Sequence, residues 1–382
     1  MIMAVRAAPV TFWLGLLLIA ACEGFLWFDV QQRGGAIVGP DQLASRLPTP
    51  IGNWALLSRW VAVNLTALCW VGHLLVCDGL LTTLSRRRQE SAIAPIRARP
   101  NRFLVTWLVS VPVWCMFDAF NFYCMGAWQY HGLPPQFAGR LLGYFIAFAA
   151  IGPGMFLVAE LLQQLGLNRL CAMDPLRSQR LAWGVLLGLP MIITAMVLGI
   201  LICQNTPLSK PTGIIGSGLL LAGPTAVSLL RKQSLKAVSF AIGVSFVIWT
   251  VLAADPISNL TLWVGLIFLL DPINDELGGP SLLADWKAGR WGRTMALMAG
   301  GAICGLLWEF WNYWAIAKWT YDLPFLGLFE PIRYFEMPLL GFFGFLPFAI
   351  ECWIMTNLAI GLLNQLNFRV AEPLPDLKNT VI

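Results

Sequence analysis

Charge is scarce in this sequence. Aspartate, glutamate, lysine and arginine make up 12% of its 382 residues, against roughly a quarter in a soluble globular domain. The 25 Lys+Arg and 20 Asp+Glu crowd into short connectors and leave long uncharged runs between them. That pattern excludes a soluble enzyme and a disordered chain. Histidine is nearly absent: His73 and His131 are the 2 in the chain, too few for a multi-haem protein or a His-rich metal site. No metal and no cofactor is therefore expected. None of the 9 cysteines forms a C-x-x-C pair and most lie inside apolar runs, so they read as small apolar filler, not a secreted disulfide scaffold. A small-residue cleavage site is also missing after Arg6, and the first apolar run reads as a retained span.

What remains is 58% hydrophobic, with mean hydropathy +0.70. The expectation is an all-α integral membrane protein in contact with the lipid bilayer, since no alternating barrel pattern occurs. About ten transmembrane helices are expected, over 10–30, 54–82, 103–126, 140–166, 181–203, 211–230, 237–254, 257–272, 294–318 and 338–365. Asp255-Pro256 separates the seventh from the eighth, and residues 237–272 form either one broken helix or two spans. Arginines 86, 87, 88, 97, 99 and 102, then 169, 177 and 180, then Arg231, Lys232 and Lys236, then Lys287, Arg290 and Arg293 all fall on one side if the spans alternate. The positive-inside rule makes that side cytoplasmic. A multi-pass protein of a bacterial inner membrane follows, with both termini cytoplasmic. Basic residues placed in this way give no reason to expect a nucleic-acid partner.

The chain also repeats itself. An offset of 191 relates Arg102 to Arg293, Asp118 to Glu309, Asn121 to Asn312, Trp128 to Trp319, Tyr130 to Tyr321 and Glu160 to Glu351. An offset of 193 relates Trp70-Val71-Gly72 and Asp78 to Trp263-Val264-Gly265 and Asp271. Two parallel three-helix repeats are expected, related by an axis along the membrane normal, with any site where they meet. The units are then 1–53 (first span and outer loop), 54–166 (repeat one), 167–256 (a linking hairpin plus one extra span), 257–366 (repeat two) and 367–382 (a cytoplasmic tail).

Ionisable groups in hydrocarbon are costly, so each is a functional candidate. An inner tier holds Asp78, Arg102 and Glu160, with Asp271, Arg293 and Glu351 in the second half. These are expected to be structural ion pairs tying helix ends together, the alternative being a proton path. An outer tier holds Asp118 and Asn121, then Glu309 and Asn312, each pair three apart on one helix face. The amide is expected to orient the carboxyl beside it. A carboxyl in an apolar pocket keeps its proton, which suits a general acid. Glu336 adds a second carboxyl to the second half, where position 145 of the first has Phe. Trp308, Trp311, Tyr313, Trp319 and Tyr321, with Trp128 and Tyr130, are candidate substrate-binding rings whose faces could stabilise carbocationic charge.

The order acid, Trp-x-Tyr, then a Pro/Glu-containing helix start resembles the three-helix lycopene cyclase domain of heterodimeric and fused carotenoid cyclases, and more distantly the membrane carotenoid hydratases. Asp118…Trp128-Gln129-Tyr130 and Glu309…Trp319-Thr320-Tyr321 carry the first part. Phe335-Glu336-Met337-Pro338 has one Glu, with its Pro after it, where that family has Pro-x-Glu-Glu. The resemblance implies a metal-free isomerase or hydratase acting on a carotenoid or related isoprenoid, with catalytic residues among Glu309, Glu336, Asn312, Asp118 and Asn121. The residues leave two other readings open: a non-catalytic subunit binding lipid, pigment or quinone in a larger membrane-protein complex, and a transporter.

Overall fold

The structure is a computed structural model, and it describes residues 9–35, 49–87, 100–134, 136–230, 233–323 and 332–366. Arg6, Arg88, Arg97, Arg99, Arg231, Lys232 and the expected tail 367–382 lie outside the described residues.

The long apolar runs fold as helices because in lipid a helix alone satisfies its own main chain. In chain order these are α1 (Val10–Gln32), α2 (Asn53–Val63), α3 (Leu65–Arg87), α4 (Pro100–Phe120), α5 (Phe137–Leu162), α6 (Pro175–Cys203), α7 (Pro211–Leu230), α8 (Leu235–Ala253), α9 (Asn259–Glu276), the short α10 (Leu282–Lys287), α11 (Gly292–Trp314) and α12 (Phe345–Gln365). Polar residues set several of the starts. Asp174 accepts from the main-chain N–H groups of Leu176 and Arg177 ahead of α6, and Ser234 accepts from Ala237 ahead of α8. Among the described residues, eight helices are long and apolar enough to cross a bilayer. The chain is an all-α, multi-pass membrane protein. Helices α7 and α9 coincide with the sixth and eighth expected spans and are not among those eight.

Two expectations change in detail. The second span, 54–82, is two helices, because the chain breaks at Asn64, where φ is −103° and ψ 16°. The Asn64 side chain donates to the Trp60 carbonyl at 2.9 Å, satisfying an acceptor that the ended helix leaves over. Residues 237–272 are two separate helices. Ala254 takes a left-handed conformation (φ 45°) after α8, and Asp255 accepts from Ile257 N at 2.9 Å and from the Thr212 hydroxyl. The two then run antiparallel, with Gly243 of α8 against the main chain of Leu269 and Gly265 of α9 against Phe246.

Between helices in lipid there is little hydrophobic drive, so association rests on close packing and interhelical hydrogen bonds. Helix α11 packs on both α5 and α12. Its Gly300 lies against Met155 and Ala159 of α5, and its neighbour Gly301 against Phe345 and Ala349 of α12. Ser110 of α4 donates to the Phe148 carbonyl of α5 at 2.5 Å. Helix α1 packs on α3, α3 on α5 and α4 on α5; α8 packs on α9, α9 on α12 and α11 on α12. Helices α6 and α7 pack on each other.

Short strands close one end of the bundle. Strand β1 (Trp128–His131) pairs antiparallel with β2 (Lys318–Tyr321) in the register Trp128↔Tyr321, Gln129↔Thr320, Tyr130↔Trp319 and His131↔Lys318. A hairpin of β3 (Arg333–Tyr334) and β4 (Met337–Pro338) turns through Phe335, which has φ +55°. A bulky aromatic in that region is an outlier held by its surroundings. Its ring meets those of Phe310, Tyr313, Trp314 and Tyr334.

Candidate functional site

Helices α4 and α11 each end in an acid, an amide and a return strand. In the second half Glu309 is fully buried. Its Oε1 accepts from the Tyr321 hydroxyl at 2.6 Å, and that hydroxyl in turn accepts from Trp319 Nε1 at 2.7 Å. In the first half Asp118 is half-buried and accepts from the Tyr130 hydroxyl at 2.9 Å and Trp128 Nε1 at 3.1 Å. Here a helix tryptophan, Trp114, donates to Tyr130 at 3.0 Å. Burial, with the acid beside each ring second, pushes both phenols up from their ordinary range, so both stay hydrogen donors. Glu309 Oε2 is buried with no hydrogen-bond partner among the described residues.

The amides do other work than expected. Asn312 donates to the Trp319 carbonyl and accepts from Trp319 N–H, both at 2.9 Å. Asn121 donates to the Trp128 carbonyl at 2.8 Å and accepts from Ala127 N and Trp128 N at 2.7 and 3.1 Å. Each amide therefore clamps the main chain of its own return strand and does not orient the acid one turn before it. A strand in a connector needs partners for its peptide groups, and an amide offers a donor and an acceptor together, as a carboxylate cannot.

Glu336 sits beside this site, bound to Lys318 Nζ at 3.0 Å. Lys318 is buried, and its ammonium lies 5.1 Å from the centre of the Tyr313 ring. Sequence reasoning passed over Lys318, since a lysine at the last position of an expected span reads as reaching water. Its position one residue before Trp319 was the available signal. His131, opposite it in the ladder, meets the Thr320 hydroxyl at 2.7 Å.

The tryptophans below the ladder are packed among themselves. Trp308 lies 5.3 Å from Trp114, 5.5 Å from Trp319 and 5.8 Å from Trp70 by ring centres. Trp311 meets Trp70 at 5.9 Å. Phe348 bridges Trp114, Phe117 and Trp263. Edge-to-face pairs of this kind contribute about 0.5–1.5 kcal/mol each beyond area burial. Trp308, Trp311 and Trp128 thus belong to the packed core, while Tyr313 lies at the Lys318–Phe335 corner.

The inner tier also differs from expectation. Arg293 pairs with Asp285 at 2.7 Å and lies over the Trp353 ring at 5.0 Å. Burial raises the Asp285 carboxyl against the opposing pull of Arg293 and Arg290. Asp271 accepts from Ser281 Oγ, Leu282 N and Leu283 N at 2.8–3.0 Å and so holds the start of α10. Glu351 is fully buried, and among the described residues it has no ion-pair partner and neither oxygen has a hydrogen-bond partner. Spacing had placed it beside Arg293, but Asp285 occupies that guanidinium. Asp78 and Glu160 are buried, and Arg102 is partly so. An unpartnered buried polar group costs about 1–3 kcal/mol. Glu351→Leu is therefore expected to raise the thermal unfolding midpoint in detergent, and a lowered midpoint would show that the carboxyl has a stabilising partner.

A third charged group, absent from the sequence reading, joins α1 to α2. Asp29 accepts from Arg33 Nε and Arg59 Nε, both at 2.7 Å. The Asp29–Arg33 spacing of four was the legible part. Among known protein families, curated proteins and solved structures, none matches this chain.

Proposed function

We propose that this membrane protein is a metal-free enzyme that protonates a carbon–carbon double bond of a carotenoid or related isoprenoid, with Glu309 as the general acid. The observation that carries the reading is the state of the Glu309 carboxyl. One oxygen accepts from the Tyr321 hydroxyl, and the other is buried with no hydrogen-bond partner among the described residues. Proton transfer from that oxygen forms a C–H bond and leaves a cation on the neighbouring carbon. The carboxylate, held by Tyr321, can take a proton back, which closes a cyclisation or isomerisation without redox change. Aromatic faces stabilise the cation while it lasts. The Lys318–Glu336 pair supplies the charges next to Glu309. Asp118, with Tyr130 and Trp128 on the same oxygen, is the structural counterpart.

Within this reading the two halves descend from one duplicated unit, sit in a bacterial inner membrane and keep both termini in the cytoplasm. The ladder supports the duplication, because Trp128 and Tyr130 pair with the residues 191 positions after each other, Tyr321 and Trp319. Packing extends the unit from three helices to four: α1, α3, α4 and α5 against α8, α9, α11 and α12, with α6 and α7 as the linking hairpin.

The test is expression in a host that accumulates lycopene, followed by pigment analysis. Conversion is expected, and Glu309→Gln is expected to lower it by about 10²–10⁴-fold, the usual worth of a general acid. An unchanged pigment profile with folded protein rejects the reading for that substrate. A second reading, a non-catalytic subunit, is favoured by the rings that fill the centre of the bundle against one another. Stable co-purification with partner subunits, and no conversion, would establish it.

A further inference from the structure

The start of α6 carries charge that the site above does not use. Arg177 and Arg180 are exposed there, and neither has an ion-pair partner among the described residues. Leu181, Gly184, Ile192 and Ala195 are exposed on the same side of the helix, while Ala182, Leu186 and Val197 on the opposite side are buried. The stripe of α6 that meets acyl chains therefore begins with two arginines. Helix α6 has 29 residues, about 43 Å at 1.5 Å per residue. That length matches a bilayer with its headgroups and exceeds the hydrocarbon layer of about 30 Å. Both arginines stand in its first two turns, at headgroup depth. Side chains tilt toward a helix N-terminus, so both guanidinium groups lean out of the hydrocarbon. Acids on the elements packed against this end of α6 are already engaged. Asp285 holds Arg290 and Arg293, Asp275 and Glu276 hold Lys236, and Asp271 holds the start of α10. From residue 163 to 181 the chain has Arg169, Arg177 and Arg180 against Asp174, whose Oδ1 accepts from Leu176 N and Arg177 N.

We propose that this face of α6 docks one anionic phospholipid, with its phosphodiester held by Arg177 and Arg180 and an acyl chain along the stripe beyond them. Residues three apart are neighbours on a helix surface, so two guanidinium groups can share one phosphodiester. The planar fork of arginine suits a pair of phosphate oxygens. A zwitterionic lipid offers the same phosphate but adds a cationic group, which the local positive charge disfavours.

Native mass spectrometry of the full chain, with equal amounts of phosphatidylglycerol and phosphatidylcholine, tests this. The wild type is expected to retain phosphatidylglycerol with a preference of roughly tenfold, the worth of one to two arginines near an anionic surface. Arg180→Gln lowers that preference, and Arg177→Gln combined with it removes it. Both side chains are exposed, so the variants keep the fold, and the single variant serves if the double one does not. Lys210→Gln takes an exposed charge from the connector at the other end of α6 and leaves the preference intact. Equal retention of the two lipids by the wild type overturns the proposal. So does a preference that survives the double substitution, or one that Lys210→Gln lowers as much as Arg180→Gln does. A second copy on this face, seen as a dimer that the double variant disperses, overturns it too.

Discussion

Asn312→Leu is expected to destabilise the protein by about 1–3 kcal/mol, because two partly buried main-chain groups of Trp319 lose their partners together. Leucine keeps the branch at Cγ but puts methyl groups where asparagine has its acceptor and its donor. The effect is large against a total stability of roughly 5–15 kcal/mol for a folded domain. Thermal unfolding in detergent measures it. The ladder makes a second result predictable. Asn121→Leu frees Ala127 N and both peptide groups of Trp128 on the opposing strand, so the double variant should cost less than the sum of the two single ones. Once one strand has left, the other has no partner to lose. Strict additivity would mean that the two strands hold independently.

The second large effect is steric. Gly243→Leu is expected to prevent accumulation of folded protein, since any Cβ at this position falls on the main chain of Leu269. Ordinary overpacking costs about 1–3 kcal/mol because side chains can shift. A contact with helix backbone offers no such relief, and α8 would have to separate from α9. Gly184→Leu on α6, where the space beside the glycine is open, is the control and should express normally. Folded, monodisperse protein from Gly243→Leu would show that the α8–α9 hairpin can open without loss.

How much of this was legible beforehand depends on the kind of signal. Apolar runs placed the helices well, because length and hydropathy are all that the bilayer demands of a span. They missed the break at Asn64, since one polar residue inside an apolar run is tolerated in a helix as often as it ends one. Spacing put Asn312 on the face of Glu309. It could not say whether the amide would serve the acid or the strand that returns seven residues later, a choice settled by where the connector folds. The antiparallel pairing of two connectors was invisible for the same reason: four-residue strands leave no periodic trace. Lys318 and the Asp29 cluster were missed because both lie at the ends of expected spans, where a charge normally reaches water, and only packing reveals a buried one. Glu351 erred in the opposite direction, as a repeat offset predicts position but not which of two acids the nearby arginine takes.

The clasp of β1 and β2 also has a timetable. Its strands lie 187 residues apart, from His131 to Lys318, and synthesis runs at about 5–20 residues per second. The first strand must therefore wait on the order of 10–40 s for its mate, with its peptide groups open to any other extended chain. The Asn121 amide, made before the strand it holds, occupies Trp128 during that interval. Insertion of this protein thus includes a pairing step between two segments made well apart in time, and slowing translation between them should lengthen the vulnerable period in proportion.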